Sequence, residues 1–407
     1  MAELPEPVVA AVRAAARPVC AYVYHRGALR ERAAALTAAL PCGVRVLYAV
    51  KANGHPAVVG ALVGELDGLE VASGGELAIA RRFDPGMVAF SGPAKTDDEL
   101  RAAGAAGAIV HVESELELRR LAAMCATGSA TGSAMGSAAP TRASTVRVAI
   151  RVNRAAVGLT GSHRMTGEPT AFGVDEAALP GILGLARELP GIDLLGFHLH
   201  AVSNNLDAVA HAAFARDALA WSVRTAAAYR FPLRYVNLGG GLGVDYTGDR
   251  EFDPGALAEG VLAEGVLGDG SAGPADVVLE PGRWLAAGAG WYAAEVLDLK
   301  RTHGRWFAVL RGGTHHFRLP AAWGYSHPFT VLPVDDWPYG FARPQVRDVP
   351  VDVAGELCTP RDVLARGRRV ARLRAGDVLV FGNAGAYGWD LSHHEFLRHP
   401  YPEMIVI

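Results

Sequence analysis

An alternation of apolar runs and helical stretches constrains the fold of this chain more than any other feature. Eight short runs rich in β-branched residues precede residue 282, and alanine- and leucine-rich stretches separate most of them. The predicted strands are 45–50, 69–72, 87–91, 108–112, 146–152, 194–200, 233–238 and 276–280. Because strands that alternate with helices usually pair in parallel, this order predicts an α/β fold of the (β/α)₈ barrel type. An open doubly wound sheet is the alternative.

The stretches between the strands have helical spacing. Predicted helices are 56–66, 75–82, 97–106, 113–123 and 206–229. A capping box supports the third, because the Thr96 hydroxyl and the Glu99 carboxylate can satisfy free N–H groups at the helix start.

The pattern changes near residue 290, where strand-like runs are joined by Gly- and Pro-rich turns. These runs are 291–299, 305–311, 329–333, 349–353 and 377–381. Since 407 residues exceed what one core usually supports, we expect two domains. Residues 31–290 form the barrel, and residues 291–407 form a β domain to which residues 1–30 contribute. Recurrent Gly-Ser pairs at 127–145 predict a flexible surface insertion in the barrel.

Charge and composition exclude several classes of partner. The formal net charge is -3 and charged residues make up 20% of the chain, which argues against nucleic acid and against an anionic membrane. No apolar run is long enough to cross a bilayer, and the N-terminus lacks a basic segment, so we expect a cytoplasmic protein. The cysteines have no paired short spacing, which fits neither a disulfide framework nor a zinc knuckle.

Polar residues follow the first and sixth predicted strands, at the end where a parallel barrel carries its active site. Lys51 is either a desolvated amine suited to Schiff-base chemistry or an ordinary solvent-facing lysine. His198 and His200, two residues apart, can both face the interior. They can be core histidines, a metal pair, or a ring stacked on a flat cofactor with Ser203 near its phosphate. Other strands lack the ligands that a metal hydrolase needs, so we expect no metal.

Two further groups follow the seventh and eighth strands. Gly239-Gly240-Gly241 lets backbone N–H groups approach a phosphate, although tight turns also use glycine. Glu280-Pro281-Gly282-Arg283 offers either a surface ion pair, or a carboxylate for a pyridine nitrogen and an arginine for a phosphate.

Taken together, the motifs resemble the fold type III pyridoxal-phosphate decarboxylases, the group of diaminopimelate, ornithine and arginine decarboxylases. The resemblance covers nearly the whole chain and implies pyridoxal 5′-phosphate, a barrel with a C-terminal β domain, and a head-to-tail homodimer with shared active sites. The motifs that carry it are Val50-Lys51-Ala52-Asn53, Glu70-Val71-Ala72-Ser73-Gly74-Gly75-Glu76, His200 with Ser203, the glycine triplet, Glu280-Pro281-Gly282-Arg283, Cys358 with Asp362, and Gly385-Ala386-Tyr387.

The resemblance also implies roles for individual residues. Lys51 holds the cofactor as a Schiff base, His200 stacks on its ring, and Glu280 binds the pyridine nitrogen. Tyr387 lines the cofactor pocket. The residues implied to bind phosphate are Ser203, Gly240, Gly241 and Arg283.

Cys358 and Asp362 match residues that enter the site from the partner subunit. By itself, Cys358 is typical of a small buried hydrophobe. With the resemblance, it becomes a candidate acid that returns a proton to the α-carbon after CO₂ leaves. His200 or a water molecule is the alternative acid.

Two departures from the diaminopimelate pattern concern the substrate. A Cys-Glu-Ser sequence, whose glutamate recognises a distal ammonium, is replaced by Cys358-Thr359-Pro360-Arg361. Segment 312–320 carries Arg318 with His315 and His316 in place of the usual Arg-Pro segment. Arginine and histidines favour a carboxylate-rich substrate, although the histidines can instead pack at the domain boundary. We therefore expect substrate contacts from Arg318, His315 and Asp362.

These departures, with Ser203-Asn204-Asn205-Leu206-Asp207 and segment 388–396, resemble the siderophore-biosynthesis decarboxylases. The likeness implies decarboxylation of citryl-L-2,3-diaminopropionate to citryl-ethylenediamine. The alternatives are a decarboxylase for diaminopimelate or another amino acid, a racemase, and a non-catalytic pyridoxal-phosphate carrier. Racemases use arginine at the pyridine nitrogen, where this chain has Glu280, and carriers lack a C-terminal domain.

Overall fold

The computed structural model describes residues 3–128, 145–155, 157–262 and 275–407. The predicted insertion at 127–145 lies almost entirely outside these residues. The chain divides into two compact units, of which the larger comprises Ala33–Val244 and Glu251–Gly282. The smaller unit comprises Met1–Arg32, Asp245–Arg250 and Arg283–Ile407.

Eight parallel strands close into a barrel in the larger unit. In chain order they are Val44–Ala49, Gly68–Val71, Met87–Phe90, Ile109–Val112, Val146–Asn153, Ile192–His198, Tyr235–Asn237 and Asp276–Leu279. Consecutive barrel strands pair in parallel, and the eighth pairs with the first. The barrel prediction is therefore confirmed, and the open-sheet alternative is wrong.

Helices follow most of the barrel strands. The helices are Glu6–Ala14, Arg26–Ala39, Pro56–Val63, Gly74–Ala80, Asp97–Ala105, Glu115–Gly128, Leu179–Glu188, Ala208–Ala228, Pro254–Leu262, Arg283–Ala286 and Leu319–Trp323. The predicted capping box forms at Asp97–Ala105, where Thr96 and Glu99 each accept the other's backbone N–H. Within the described ranges, no helix has both the length and the apolar character needed to span a membrane.

The barrel interior has two layers. The lower layer is mainly apolar and contains Leu47, Ala89, Ile109, Ala149, Leu195, Tyr235 and Val278. Alternate residues of a strand share a face, so the residues two positions farther along point inward as well. Five of these are polar and buried, and they form an inner polar layer toward the carboxyl ends of the strands: Ser91, His111, Arg151, Asn237 and Glu280.

The smaller unit is built on an eight-stranded sheet. Its strands are Cys20–Tyr24, Gly290–Thr302, Arg305–Leu310, Thr330–Leu332, Gln345–Ala354, Val363–Arg374, Val378–Phe381 and Glu403–Val406. The long strand Gly290–Thr302 pairs with three others, including Cys20–Tyr24 from the start of the chain. The predicted C-terminal β domain is confirmed. Strand Val363–Arg374 was not predicted, because its arginine-rich sequence obscures the alternation of apolar residues.

Candidate active site

Lys51 lies just past the first barrel strand, on a short 3₁₀ turn spanning Val50–Ala52. Its side chain is 41% exposed, yet its ammonium group pairs with Glu70, whose side chain is 1% exposed. Burial raises the pKa of Glu70, whereas the Lys51 charge acts to lower it. Lys51 therefore combines features of both interpretations: its amine is accessible to solvent, and a buried carboxylate also holds it. Its role as the Schiff-base lysine stays a prediction.

The glycine loop, residues 239–241, follows the seventh barrel strand and leaves no room for side chains. A Cβ on Gly239 would lie 2.3 Å from His200 Nδ1, and one on Gly240 would lie 2.3 Å from the Glu280 carbonyl oxygen. Gly239 and Gly241 also have φ angles of +71° and +98°, which favour glycine. Glycine is therefore required in this loop because His200 and the Glu280 backbone pack directly against it.

His200 and Ser203 lie beside the glycine loop. The Gly240 N–H donates to His200 Nδ1 at 3.2 Å, so this nitrogen carries no proton. Burial lowers the pKa of His200 well below its usual value, which keeps the ring neutral. Ser203 follows Val202, whose carbonyl oxygen would lie 2.7 Å from a Cβ on Gly241. The barrel thus brings both predicted residues to the loop predicted to bind phosphate.

Glu280 follows the eighth barrel strand and is buried. Its Oε1 accepts a hydrogen bond from Asn237 Nδ2 at 2.5 Å, and its Oε2 lies 3.5 Å from His198 Nε2. Both ring nitrogens of His198 are buried and lack a hydrogen-bond partner within the described part of the chain. Such orphaned groups are costly unless a ligand satisfies them.

His111, His198 and Glu280 form a cluster that the sequence did not predict. One potential ligand atom from each lies within 4.8 Å of the other two. This spacing is compatible with a metal ion, and burial holds the pKa values of both histidines well below their usual range. The expectation that no metal is present stays a prediction.

Arg283 belongs to the smaller unit, where aromatic side chains surround it. Its Nη1 donates to the Tyr246 hydroxyl at 2.8 Å, and its guanidinium carbon lies 4.3 Å from the Tyr387 ring centroid and 4.5 Å from that of Trp323. Because Arg283 and Glu280 are both buried, a surface ion pair between them is ruled out. Tyr387 has a φ of +54°, a conformation that aromatic residues rarely adopt and that often marks a functional position.

A cavity of about 710 Å³ lies in the smaller unit. Its lining includes Arg318, Arg361, Arg366 and His393, and the described part of the chain contributes no aspartate or glutamate to it. Within the described ranges, none of the three guanidinium groups forms an ion pair with a carboxylate. We call this cavity the arginine cavity; its charge suits an anionic ligand.

Asp362 and Cys358 occupy one turn of the smaller unit. The buried Asp362 carboxylate accepts hydrogen bonds from the backbone N–H groups of Thr314 at 2.6 Å and Leu357 at 2.8 Å. Cys358 is exposed, so its interpretation as a buried hydrophobe is wrong. Asp362 therefore fixes the turn that presents Cys358, and its contact with substrate stays a prediction.

His315 and His316 are fully buried, with ring centroids 3.8 Å apart. His315 Nε2 lies 3.5 Å from Glu356 Oε1, and Arg311 pairs with the same carboxylate. Burial acts to raise the pKa of Glu356, but His315 and Arg311 together hold it at about 2. The predicted role of His315 at the substrate stays a prediction.

The barrel residues fit pyridoxal 5′-phosphate. Lys51 offers an accessible amine to its aldehyde, and Glu280 offers a buried carboxylate to its ring nitrogen. In the glycine loop, the N–H groups of Gly239 and Gly240 already donate to Asn237 and His200. When bound, this cofactor supplies an electron sink that stabilises the negative charge left on the α-carbon as CO₂ departs.

Fold and site define a pyridoxal-phosphate enzyme with a (β/α)₈ barrel and a C-terminal β domain. Residues 26–287 match the family described as "Pyridoxal-dependent decarboxylase, pyridoxal binding domain". The chain belongs to this family and is a pyridoxal-phosphate-dependent carboxy-lyase. The decarboxylase prediction is confirmed over the racemase and carrier alternatives.

Individual relatives agree with this assignment. The Staphylococcus aureus 2-[(L-alanin-3-ylcarbamoyl)methyl]-2-hydroxybutanedioate decarboxylase is 38% identical, over 99% of this chain and 97% of its own. The diaminopimelate decarboxylase of Deinococcus radiodurans is 32% identical, over 89% of this chain and 83% of its own. The crystal structure of Helicobacter pylori diaminopimelate decarboxylase complexed with L-lysine has a TM-score of 0.80 at 22% identity, covering 96% of this chain and 92% of that one.

Several site residues escaped the sequence analysis. Glu70 was part of a quoted motif without a role, and Asn237 precedes the glycine triplet without having been singled out. His111 stands in the apolar run Ile109–Val112, and a lone polar residue in such a run was the available signal. Arg366 gave no signal, since exposed arginines are common.

Proposed function

We propose that this enzyme decarboxylates citryl-L-2,3-diaminopropionate to citryl-ethylenediamine, a step in siderophore biosynthesis. The arginine cavity is the observation that carries the proposal, because its three guanidinium groups have no carboxylate partner within the described ranges. The S. aureus relative, matched along nearly the whole chain, is named for the same substrate.

The charges of the two candidate substrates favour this choice. The citryl compound bears two carboxylates beyond the one that is lost, whereas diaminopimelate carries an ammonium group at its far end. An ammonium group would require an acidic partner, and within the described ranges no acidic residue lines the arginine cavity. Thr359 lines the cavity instead, at the position where the diaminopimelate pattern has glutamate.

We assign the predicted residues to the following roles. Lys51 carries the cofactor, His200 stacks on its ring and Glu280 takes its ring nitrogen. Cys358 supplies the proton that replaces CO₂. Residues proposed to contact the cofactor phosphate or line its pocket are Ser203, Gly240, Gly241, Arg283 and Tyr387. Residues proposed to contact the substrate are Arg318, His315 and Asp362.

CO₂ release from a substrate panel tests the function. Purified enzyme is given citryl-L-2,3-diaminopropionate, meso-diaminopimelate, ornithine and arginine, and we expect turnover of the citryl compound alone. Turnover of diaminopimelate alone would contradict the proposal.

Arg366→Gln tests the role of the cavity, with Arg372→Gln on the same strand, Val363–Arg374, as the matched control. Loss of one charge-assisted contact should raise KM for the citryl compound about ten-fold or more, with a smaller change in kcat. The control should match wild type. An unchanged KM in Arg366→Gln would remove the cavity from substrate binding.

We also propose a cytoplasmic head-to-tail homodimer in which Cys358 and Asp362 act in the partner's site. The exposure of Cys358 on a turn fixed by Asp362 supports this arrangement. Mixing inactive Lys51→Ala with inactive Cys358→Ala should restore up to about a quarter of wild-type activity, because one hybrid site then has both residues. If light scattering gives a monomer, or the mixture stays inactive, the shared site is wrong.

A further inference from the structure

A row of buried hydrogen bonds crosses the inner polar layer and ends at Glu280. Ser91 Oγ lies 2.8 Å from His111 Nδ1, and His111 Nε2 lies 3.0 Å from the Tyr235 hydroxyl. That hydroxyl lies 2.7 Å from Asn237 Nδ2, which lies 2.5 Å from Glu280 Oε1. We call these five residues the inner row; none is more than 6% exposed.

The backbone fixes which atoms of the row donate. The Gly239 N–H donates to Asn237 Oδ1 at 2.8 Å, so the Asn237 amide nitrogen must face the other way. Its two hydrogens therefore point to the Tyr235 oxygen and to Glu280 Oε1. The Tyr235 hydroxyl then donates to His111 Nε2.

His111 completes the row. Burial lowers its pKa well below the usual value, so the ring is neutral and carries one proton. Because Nε2 accepts from Tyr235, that proton is on Nδ1 and is donated to Ser91. The protons shared between neighbours of the inner row thus each have a single position, and the Asn237 amide cannot turn over without breaking its bonds to Gly239, Tyr235 and Glu280.

The assignment of donors and acceptors along the inner row determines how Glu280 is held. The Asn237 amide fixes the orientation of this carboxylate, because Oε1 accepts a hydrogen bond from Asn237 Nδ2. With Oε1 held in this way, Oε2, which lies 3.5 Å from His198 Nε2, would be the oxygen available to the ring nitrogen of the cofactor. The Asn237 carbonyl oxygen meanwhile holds Gly239, the first residue of the glycine loop.

We infer that Asn237 is a positioning residue that couples the two ends of the cofactor. Its NH₂ group would hold the Glu280 carboxylate in one orientation for the ring nitrogen, and its carbonyl group would hold the glycine loop for the phosphate. The amide is held in the orientation that makes both of these contacts by the hydrogen bonds that run through Tyr235, His111 and Ser91. The inference rests on the cofactor roles proposed for Glu280 and the glycine loop, but not on the proposed citryl substrate.

Two substitutions separate the two functions of this amide. Asn237→Asp keeps an oxygen for the Gly239 N–H but places a second oxygen against Glu280 and Tyr235, whereas Asn237→Ala loses both contacts. Ser222→Ala is the matched control, since it removes a fully buried hydroxyl from the same unit, whose single partner among the described residues is the Ala218 carbonyl oxygen.

The readout is cofactor discrimination in full-length protein stripped of cofactor. Dissociation constants are measured by tryptophan fluorescence for pyridoxal 5′-phosphate, its 1-deaza analogue, which lacks the ring nitrogen, and pyridoxal, which lacks the phosphate. Wild type should prefer the natural cofactor over both. Asn237→Asp should bind pyridoxal 5′-phosphate about ten- to a hundred-fold more weakly than wild type does. It should lose the preference over the deaza analogue but keep the preference over pyridoxal. Asn237→Ala should lose both preferences.

A purely structural role for Asn237 gives a different result. It would lower the thermal unfolding temperature while all three dissociation constants kept their wild-type ratios, and that outcome would overturn the inference. Should the Asn237 variants not fold, Tyr235→Phe keeps the shape of the row and removes both hydrogen bonds of the Tyr235 hydroxyl, to His111 and to Asn237. It should then reduce the preference over the deaza analogue several-fold, and an unchanged preference would likewise overturn the inference.

Discussion

Lys51 forms an ion pair with Glu70, a carboxylate that the second barrel strand holds almost out of contact with solvent. The pair joins an accessible amine to a buried acid. If Lys51 holds the cofactor, as proposed, Glu70 is already placed to accept a proton from its amine or to stabilise its ammonium form.

Substituting Glu70 by glutamine should therefore impair turnover more than folding. Glutamine keeps the shape but has no charge, so we expect kcat to fall about a hundred-fold, in the range typical of a lost acid–base group. Steady-state kinetics and the visible spectrum of the bound cofactor measure this. Glu115→Gln, which removes an exposed carboxylate that pairs with Arg119, is the control and should be neutral. A fully active Glu70→Gln enzyme would show that the pair is only structural.

Alanine at Gly240 should weaken cofactor binding. Its Cβ would lie 2.3 Å from the backbone oxygen of Glu280, so the glycine loop has to move. We expect at least about ten-fold weaker binding of pyridoxal 5′-phosphate by equilibrium titration. Gly184→Ala, inside helix Leu179–Glu188 with open space around the new Cβ, should instead raise the free energy of unfolding by roughly 0.5–1 kcal/mol. If Gly240→Ala and Gly184→Ala changed cofactor binding equally, the close packing of Gly240 would not explain the effect.

The sequence was sufficient to predict the barrel and the residues that follow its strands. Short β-branched runs identify strands locally, and parallel closure then places Lys51, His200 and Glu280 at one end. The inner row was not predictable in the same way, because Tyr235 and His111 find each other only through register between strands distant in sequence. The arginine cavity was missed for a similar reason, since the sequence does not show that these three exposed arginines line one cavity in the folded chain.

Thiol chemistry should distinguish Cys358 from the other cysteines. Cys358 and Cys42 are exposed, whereas burial raises the pKa of Cys20 to about 11 and keeps its thiol protonated. A thiol reagent should therefore label two cysteines and abolish activity. The reagent should inactivate Cys42→Ser as it does wild type. Cys358→Ser should be about a hundred-fold less active before treatment and should lose no further activity on treatment. Full activity after complete labelling of Cys358 would exclude it as the acid.

Stability should fall in mild acid because of His211. Burial lowers the pKa of this histidine to about 4, against about 6.5 in an unfolded chain. As the pH falls from 6.5 to 4, the unfolded state binds a proton that the folded state excludes. The free energy of unfolding therefore decreases across this window, by on the order of 3 kcal/mol from this residue.

Urea unfolding at pH 7 and pH 5 tests the effect. His211→Leu should show a smaller difference between the two pH values than wild type. His303→Asn replaces an exposed histidine at a φ of +47°, which asparagine tolerates, and should keep the wild-type difference. If His211→Leu and wild type lose equal stability, other groups cause the acid sensitivity.

Closure of the barrel between its first and last strands affects how the protein matures. Lys51 leaves the first barrel strand and Glu280 leaves the eighth, and these strands pair only when the barrel closes. A ribosome-bound chain that has emerged only through the seventh strand presents the lysine without the carboxylate for the ring nitrogen. Under the roles proposed for Lys51 and Glu280, the cofactor site would therefore be complete only after synthesis has passed Glu280.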